Sequence, residues 1–327
     1  MSEIYFVAAT EEVLRSCYSS QWLAQGDILL SSEILQQKKC RPECRCIFST
    51  WTMPALTEEQ IREQFPSLKY LFYGAGSVQK FARPFLKNGV RIFSAWAANA
   101  VPVAEWTAAQ IILANKGFFQ LHRRYAEEGA EKAREYGNSF PGNYHTPVGL
   151  LGAGMIGRKV IELLAPYSLE ILVFDPFMDE PAAENLHVRK TDIETLFAES
   201  QTISNHLANN PQTRGMLNYS LFSRMKPNAV FINTGRGATI DPQGLCRALN
   251  EEPRRTAVLD VTDPNEPLQR GDPLFDMPNI ILTPHRAGAC SKEVARLGEY
   301  MAEEYRRVTA GKPALYEVTT DMLETMA

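Results

Sequence analysis

The chain has 327 residues, more than the roughly 250–300 at which a single hydrophobic core stops growing, so two domains are expected. Hydrophobic residues make up 45% and charged residues 22%, the composition of an ordinary soluble globular protein. The formal net charge of −4 argues against a nucleic-acid or anionic-membrane partner, and no run approaches the ~18 apolar residues of a membrane span.

The N-terminus, MSEIYFVAAT, carries Glu3 and no basic stretch before its apolar run. It does not read as a signal peptide, and a cytoplasmic setting is expected. Residues 4–9 read as a first strand and 45–48 as another. Cys40, Cys44 and Cys46 have C-x3-C-x-C spacing with no second Cys or His pair at a zinc-site distance, so they read as reduced thiols in a loop entering a strand, with no metal. Residues 57–65 look helical, with Thr57 as N-cap and Glu59 and Gln60 in the first turn. LKYLFYGAG reads as a strand running into a tight loop, and NGVRIFSAW repeats the strand pattern. Alternating strand and helix is the pattern of a parallel α/β sheet.

From Val103 the sequence turns Ala-rich and helical in period, as two helices or one that bends. Residues 138–147 read as a loop, broken by Pro141, Gly142 and Pro147. A second series then runs from Val148 to about Ala289. Its strands are VGLLGAG, LEILVFD, QTISNHLA, AVFINTG, TAVLDV and NIILTPH, with helices between. The last 37 or so residues include an amphipathic helix expected to pack on the N-terminal domain.

Gly152-Ala153-Gly154-Met155-Ile156-Gly157 matches G-x-G-x-x-G, with an apolar strand before it and a helix directly after. Gly152 allows the tight turn, Gly154 lets the backbone approach a pyrophosphate, and Gly157 lets helix and strand pack closely. The free N–H groups of the helix start, at Met155 and Ile156, would face the phosphates. Asp175 ends the next strand, 18 residues after Gly157, near the spacing of the acid that grips a ribose 2′-hydroxyl. A carboxylate there repels a 2′-phosphate, so NAD is expected in preference to NADP.

Three more strand ends carry polar groups: Asn233-Thr234-Gly235-Arg236-Gly237, Asp260, and Thr283-Pro284-His285. Hydride transfer to a 2-oxo acid needs a cation that grips the carboxylate and polarises the carbonyl, which Arg does bidentately. It needs a proton donor, usually His, and a carboxylate that orients this His and stabilises its charged form.

The chain resembles the D-isomer-specific 2-hydroxyacid dehydrogenases. The likeness covers nearly its whole length and is strongest in LLGAGMIG, VFDP, INTGRG, LDVTDPNEPL and LTPHRAGA, with fainter matches in YGAGSV and NAVPVAEWT. The resemblance implies an oxidoreductase with a Rossmann-type cofactor domain, residues 102–289, inserted into a smaller flavodoxin-like substrate domain of residues 1–101 plus 290–327. The active site would lie in the cleft between them. It makes Arg236 the substrate clamp, His285 the acid/base and Glu266 the partner of that His. It also sets Thr234, Gly235, Arg236, Asp260 and His285 beside NAD, with Asp260 near the nicotinamide. The backbone N–H groups of Ala75 and Gly76 would meet the substrate carboxylate. A homodimer is expected, as is a small 2-oxo or 2-hydroxy acid substrate, with no nucleic-acid or membrane partner.

One departure concerns the glutamate. It lies six residues after Asp260 where the family places it five after, as if Asn265 were inserted, and Asp263 is a second candidate. Alternatives to the dehydrogenase are an NAD(H)-sensing binding protein of the same fold and a formate- or phosphite-type dehydrogenase. A Glu in place of Gln near the His argues against formate. Trp51 and Trp96 could wall the substrate pocket or simply pack. His206 reads as a wall near the adenosine end, and Cys290 as a buried, inert thiol.

Overall fold

The computed structural model describes residues 2–37 and 39–324. The chain divides into two compact units, Met1–Asn99 with Ala289–Ala327, and Ala100–Gly288. In chain order the strands are β1 (Ile4–Ala8), β2 (Asp27–Leu30), β3 (Cys46–Ser49), β4 (Tyr70–Tyr73), β5 (Arg91–Ser94), β6 (Thr146–Leu151), β7 (Leu169–Phe174), β8 (Arg189–Lys190), β9 (Thr202–Asn205), β10 (Val230–Asn233), β11 (Thr256–Leu259), β12 (Ile280–Leu282) and β13 (Glu317–Val318). Among the described residues no helix is long and apolar enough to cross a membrane.

The first unit holds a six-stranded sheet in the order β13-β5-β4-β3-β1-β2, with only β13 antiparallel. Without β13 this is the flavodoxin-like order. Both faces of a parallel sheet must be covered, and the sequence supplies apolar side chains to each. On one face Phe6, Phe48, Phe72 and Phe93 occupy matched register positions on four adjacent strands. Their rings stack at centroid spacings of 5.3, 5.0 and 4.7 Å. The Val294–Thr309 helix covers this ladder through Leu297 and Met301, and Tyr305 stands on Phe48 and Phe72. The C-terminal helix therefore does pack on the N-terminal sheet. Cys46 opens β3, and burial pushes the Cys44 thiol up to about 12.

The second unit is a seven-stranded, wholly parallel sheet in the order β8-β7-β6-β9-β10-β11-β12. It is the doubly wound Rossmann arrangement, and its strand order reverses between β6 and β9, where ligands bind in such sheets. Every residue of β9, β10 and β11 is buried.

Some elements differ from the sequence reading. The long helix begins at Trp96, not near Val103, and runs through Pro102 to Asn115. Proline argues for a break because it removes an N–H. Here buried neighbours on both sides, Ala98, Val103 and Ala104, hold the helix together across it. Three helices follow one another, Trp96–Asn115, Phe118–Glu128 and Ala130–Gly137, separated by Gly117 and Gly129 at positive φ. The strand β2 and the helices Glu11–Cys17, Ser20–Leu23 and Ser31–Gln37 were not foreseen.

The Val294–Thr309 helix crosses the end of Glu11–Cys17 at Gly298, where an added Cβ would lie 1.9 Å from the Cys17 carbonyl oxygen. Both partners are backbone, so neither can swing away. Gly298→Ala is expected to lower the stability of this unit by about 1–3 kcal/mol, the range for overpacked cores, in urea unfolding. An unchanged midpoint would show that the helix slides freely here.

Candidate active site

The β6 strand delivers the glycine loop at the point of strand reversal. Gly152 has φ +89°, and a Cβ on Gly157 would lie 2.2 Å from the Gly152 carbonyl oxygen, so only glycine lets the Met155–Leu164 helix start this close to the strand end. Gly154 has nothing within 4 Å of where a Cβ would stand, which leaves an open face over the loop. No side chain caps this helix, so the N–H groups of Met155 and Ile156 face outward from an uncapped positive end. Asp175 follows β7. Its Oδ2 accepts from Ala153 N at 2.7 Å and its Oδ1 from Phe177 N at 2.8 Å. The acid is tied to the glycine loop and keeps lone pairs for ribose hydroxyls. Donors at a helix start, an open backbone face and a tethered carboxylate acceptor are the groups that a dinucleotide requires.

The turn after β10 carries Arg236. It is held from below by side chains that are fully buried. Asn205, at the end of β9, donates to Asn233 Oδ1 and to Thr239 Oγ1, each at 2.9 Å. Asn233 Oδ1 also accepts from Gly235 N, and the Arg236 carbonyl accepts from Asn233 Nδ2 at 3.2 Å and Thr239 Oγ1 at 2.8 Å. Thr234 shares a 3.1 Å hydrogen bond with Thr107 of the long helix. Sequence reading missed Asn205, Thr239 and Thr107 as members of this frame. The available signal was that β9 and β10 both end in Asn. Among the described residues, the Arg236 side chain donates only to the Gly235 carbonyl and has no carboxylate at ion-pair distance. Burial pulls its pKa below the ordinary value, and the charge of Glu266 opposes that shift.

The Glu266 carboxylate meets His285 Nδ1 directly. In the loop that leads to Glu266, Thr262 Oγ1 donates to the Asn265 carbonyl at 2.6 Å. His285 stands at φ +52°, in the left-handed region, and its side chain is half exposed. A cavity of about 380 Å³ adjoins the pair, walled by Leu268, Phe275, Leu282 and Pro284. Asp260 is 3% exposed, and its carboxylate is turned toward the segment that carries His285.

In the first unit, Ala75 and Gly76 follow β4, and both carbonyls accept from Ser94 Oγ. Trp51, after β3, is half exposed, while Trp96 packs edge-on against Tyr316. Cys290 is partly buried, with its thiol 3.4 Å from Glu293 Oε2. His206 packs against the glycine loop, its carbonyl oxygen 3.2 Å from where a Cβ on Gly152 would stand. Its Nε2 pairs with Ser204 Oγ at 3.0 Å, and its Nδ1 is buried without a partner.

The fold and this site define a dinucleotide-binding α/β protein of the Rossmann type. The sequence profile of the D-isomer specific 2-hydroxyacid dehydrogenase NAD-binding domain matches residues 108–287, and the chain belongs to that family. Its second unit is the NAD-binding domain. A D-3-phosphoglycerate dehydrogenase of Archaeoglobus fulgidus is 26% identical over 238 residues, covering 73% of this chain and 44% of that protein. The chain thus spans under half the length of the phosphoglycerate dehydrogenases it matches. A glyoxylate reductase of Korarchaeum cryptofilum is 28% identical over 264 residues, 80% of this chain and 78% of its own. Among solved structures, the D-mandelate dehydrogenase of Rhodotorula graminis superposes with a TM-score of 0.77 at 18% identity, covering 97% of each chain. The NAD-complexed D-isomer specific 2-hydroxyacid dehydrogenase of Lactobacillus delbrueckii ssp. bulgaricus gives 0.76 at 18% identity, over 97% of this chain and 99% of that one. These two likenesses establish the fold.

Burial holds the His206 imidazole down at about 4, against an ordinary 6.5. The folded protein keeps it neutral while the unfolded chain takes up a proton below 6.5. The stability is therefore complete above that pH and drains away as pH falls toward 4. Between pH 7 and pH 5 the native chain should lose about 2 kcal/mol more than His206→Gln in urea unfolding. Equal losses in both would show that His206 is protonated in the folded state.

Proposed function

We propose that the chain catalyses the NAD-dependent interconversion of a small 2-oxo acid and its D-2-hydroxy acid. The observation that carries this reading is the pairing of Glu266 with His285 Nδ1 in the same unit as an Arg236 whose guanidinium has no ion-pair partner among the described residues. When bound, NADH supplies the hydride that the carbonyl carbon accepts. Arg236 grips the substrate carboxylate and draws electron density from the carbonyl. His285 holds a proton on Nε2 and passes it to the carbonyl oxygen, and Glu266 fixes the ring and stabilises its charged form. In the reverse direction His285 takes the hydroxyl proton. Ala75 and Gly76 of the first unit offer backbone N–H groups to the carboxylate, so that unit serves as the substrate-binding domain.

Asp175 favours NADH over NADPH, because a second anion there would face its carboxylate. The relative named a glyoxylate reductase, matched over about four-fifths of each chain, supports a short 2-oxo acid. A homodimer in the cytoplasm completes the proposal.

The test is loss of NADH absorbance with glyoxylate, pyruvate, hydroxypyruvate, 2-oxobutyrate, phenylpyruvate and branched-chain 2-oxo acids, with NADPH run in parallel. Turnover with NADH on at least one acid is expected. In Arg236→Lys, a point charge replaces a planar fork, and kcat/KM should fall on the order of 100-fold. Near-normal turnover in that variant would remove Arg236 from its role. Tight NADH binding with no acid reduced would make the chain an NAD(H)-sensing protein.

A further inference from the structure

We infer that Asp260 is a positioning residue for His285: its buried carboxylate holds the 283–287 turn and keeps the histidine in its left-handed backbone conformation. The inference rests on the acid/base role proposed for His285. Asp260 Oδ1 accepts from Thr283 Oγ1 at 2.6 Å and from Arg286 N at 2.7 Å. Its Oδ2 accepts from Ala287 N at 2.9 Å. Its backbone carbonyl accepts from His285 N at 3.0 Å. One residue at the end of β11 thus binds the turn on both sides of His285 and at its own amide.

The geometry fits a clamp for two physical reasons. A carboxylate that is 3% exposed needs hydrogen-bond donors, and all three found here come from the turn. A non-glycine residue at φ +52° lies where L side chains are strained, and such a conformation persists only where its surroundings over-determine it. Four hydrogen bonds to four residues of the turn, Thr283, His285, Arg286 and Ala287, supply that determination. The resemblance to the family implied that Asp260 lies near the nicotinamide. Its carboxylate spends three of its roughly four acceptor positions on the turn.

The two roles separate experimentally. Asp260→Asn keeps the shape but offers one acceptor oxygen, and it turns an NH2 group toward a backbone N–H. Thr283→Val removes a single bond without changing charge. Three quantities are measured on the full chain: NADH Kd by fluorescence, kcat on the best 2-oxo acid, and hydrogen exchange of the amides of residues 285–287. A positioning role predicts that kcat falls about 100-fold in Asp260→Asn, the scale of a misplaced catalytic group, and several-fold in Thr283→Val. NADH Kd should stay within about threefold in both while exchange of the Arg286 and Ala287 amides rises. If NADH Kd weakens in step with kcat and exchange is unchanged, Asp260 acts on the cofactor and the inference fails. Should the native chain reduce no acid, the proposed reaction fails on its own. The exchange measurement, which needs no substrate, then still decides whether Asp260 holds the turn.

Discussion

The C-terminal ends of β9, β10 and β11 carry three polar side chains almost wholly removed from water, Asn205, Asn233 and Asp260. Each must find partners where it stands, because an unsatisfied buried polar group costs on the order of 1–3 kcal/mol. Asn205 finds the side chains of Asn233 and Thr239, Asn233 finds the Gly235 amide and the Arg236 carbonyl, and Asp260 finds the Thr283 hydroxyl and the Arg286 and Ala287 amides. Asn205 and Asn233 settle the course of the chain through Arg236, and Asp260 settles it through His285. Satisfying the sheet ends and aiming the chemical groups are thus one arrangement. This explains why loops with no regular hydrogen-bonding pattern can hold side chains in fixed places.

Charge follows the same logic. Arg236 is partly withdrawn from water, which disfavours its charged form, and the nearby Glu266 charge works against that penalty. Glu266 in turn contacts His285. The cation, the carboxylate and the imidazole form a chain of opposite or polarisable charges on one sheet edge. At the other end of the same sheet edge, the glycine loop leads into a helix start without a side-chain cap, and Asp175 is anchored to that loop by the Ala153 amide.

Much of this was legible in the sequence where the determinant is local. The glycine loop, Asp175, and the polar strand ends at Arg236 and His285 lie in short stretches whose spacing is fixed by a strand, a turn and a helix start. What depends on register or on distant packing was not legible. The stacked ladder of Phe6, Phe48, Phe72 and Phe93 exists only once four strands are aligned. The DILL strand is four residues long and leaves too little pattern to detect. The long helix begins seven residues before Val103 and runs through Pro102, held there by buried neighbours on both sides. Residue counting could not choose between Glu266 and Asp263, since the length of a loop does not tell how it folds back. In the folded chain Thr262 bonds to the Asn265 carbonyl and Glu266 meets His285.

Glu266, through its contact with His285 Nδ1, is the group that orients the imidazole. The most direct measurement compares kcat for Glu266→Gln and Asp263→Asn on the same 2-oxo acid, with NADH binding measured for each. The account predicts a loss on the order of 100-fold for Glu266→Gln, the scale of a compromised general acid, and a value near that of the native chain for Asp263→Asn. A native-like Glu266→Gln beside a crippled Asp263→Asn would contradict it.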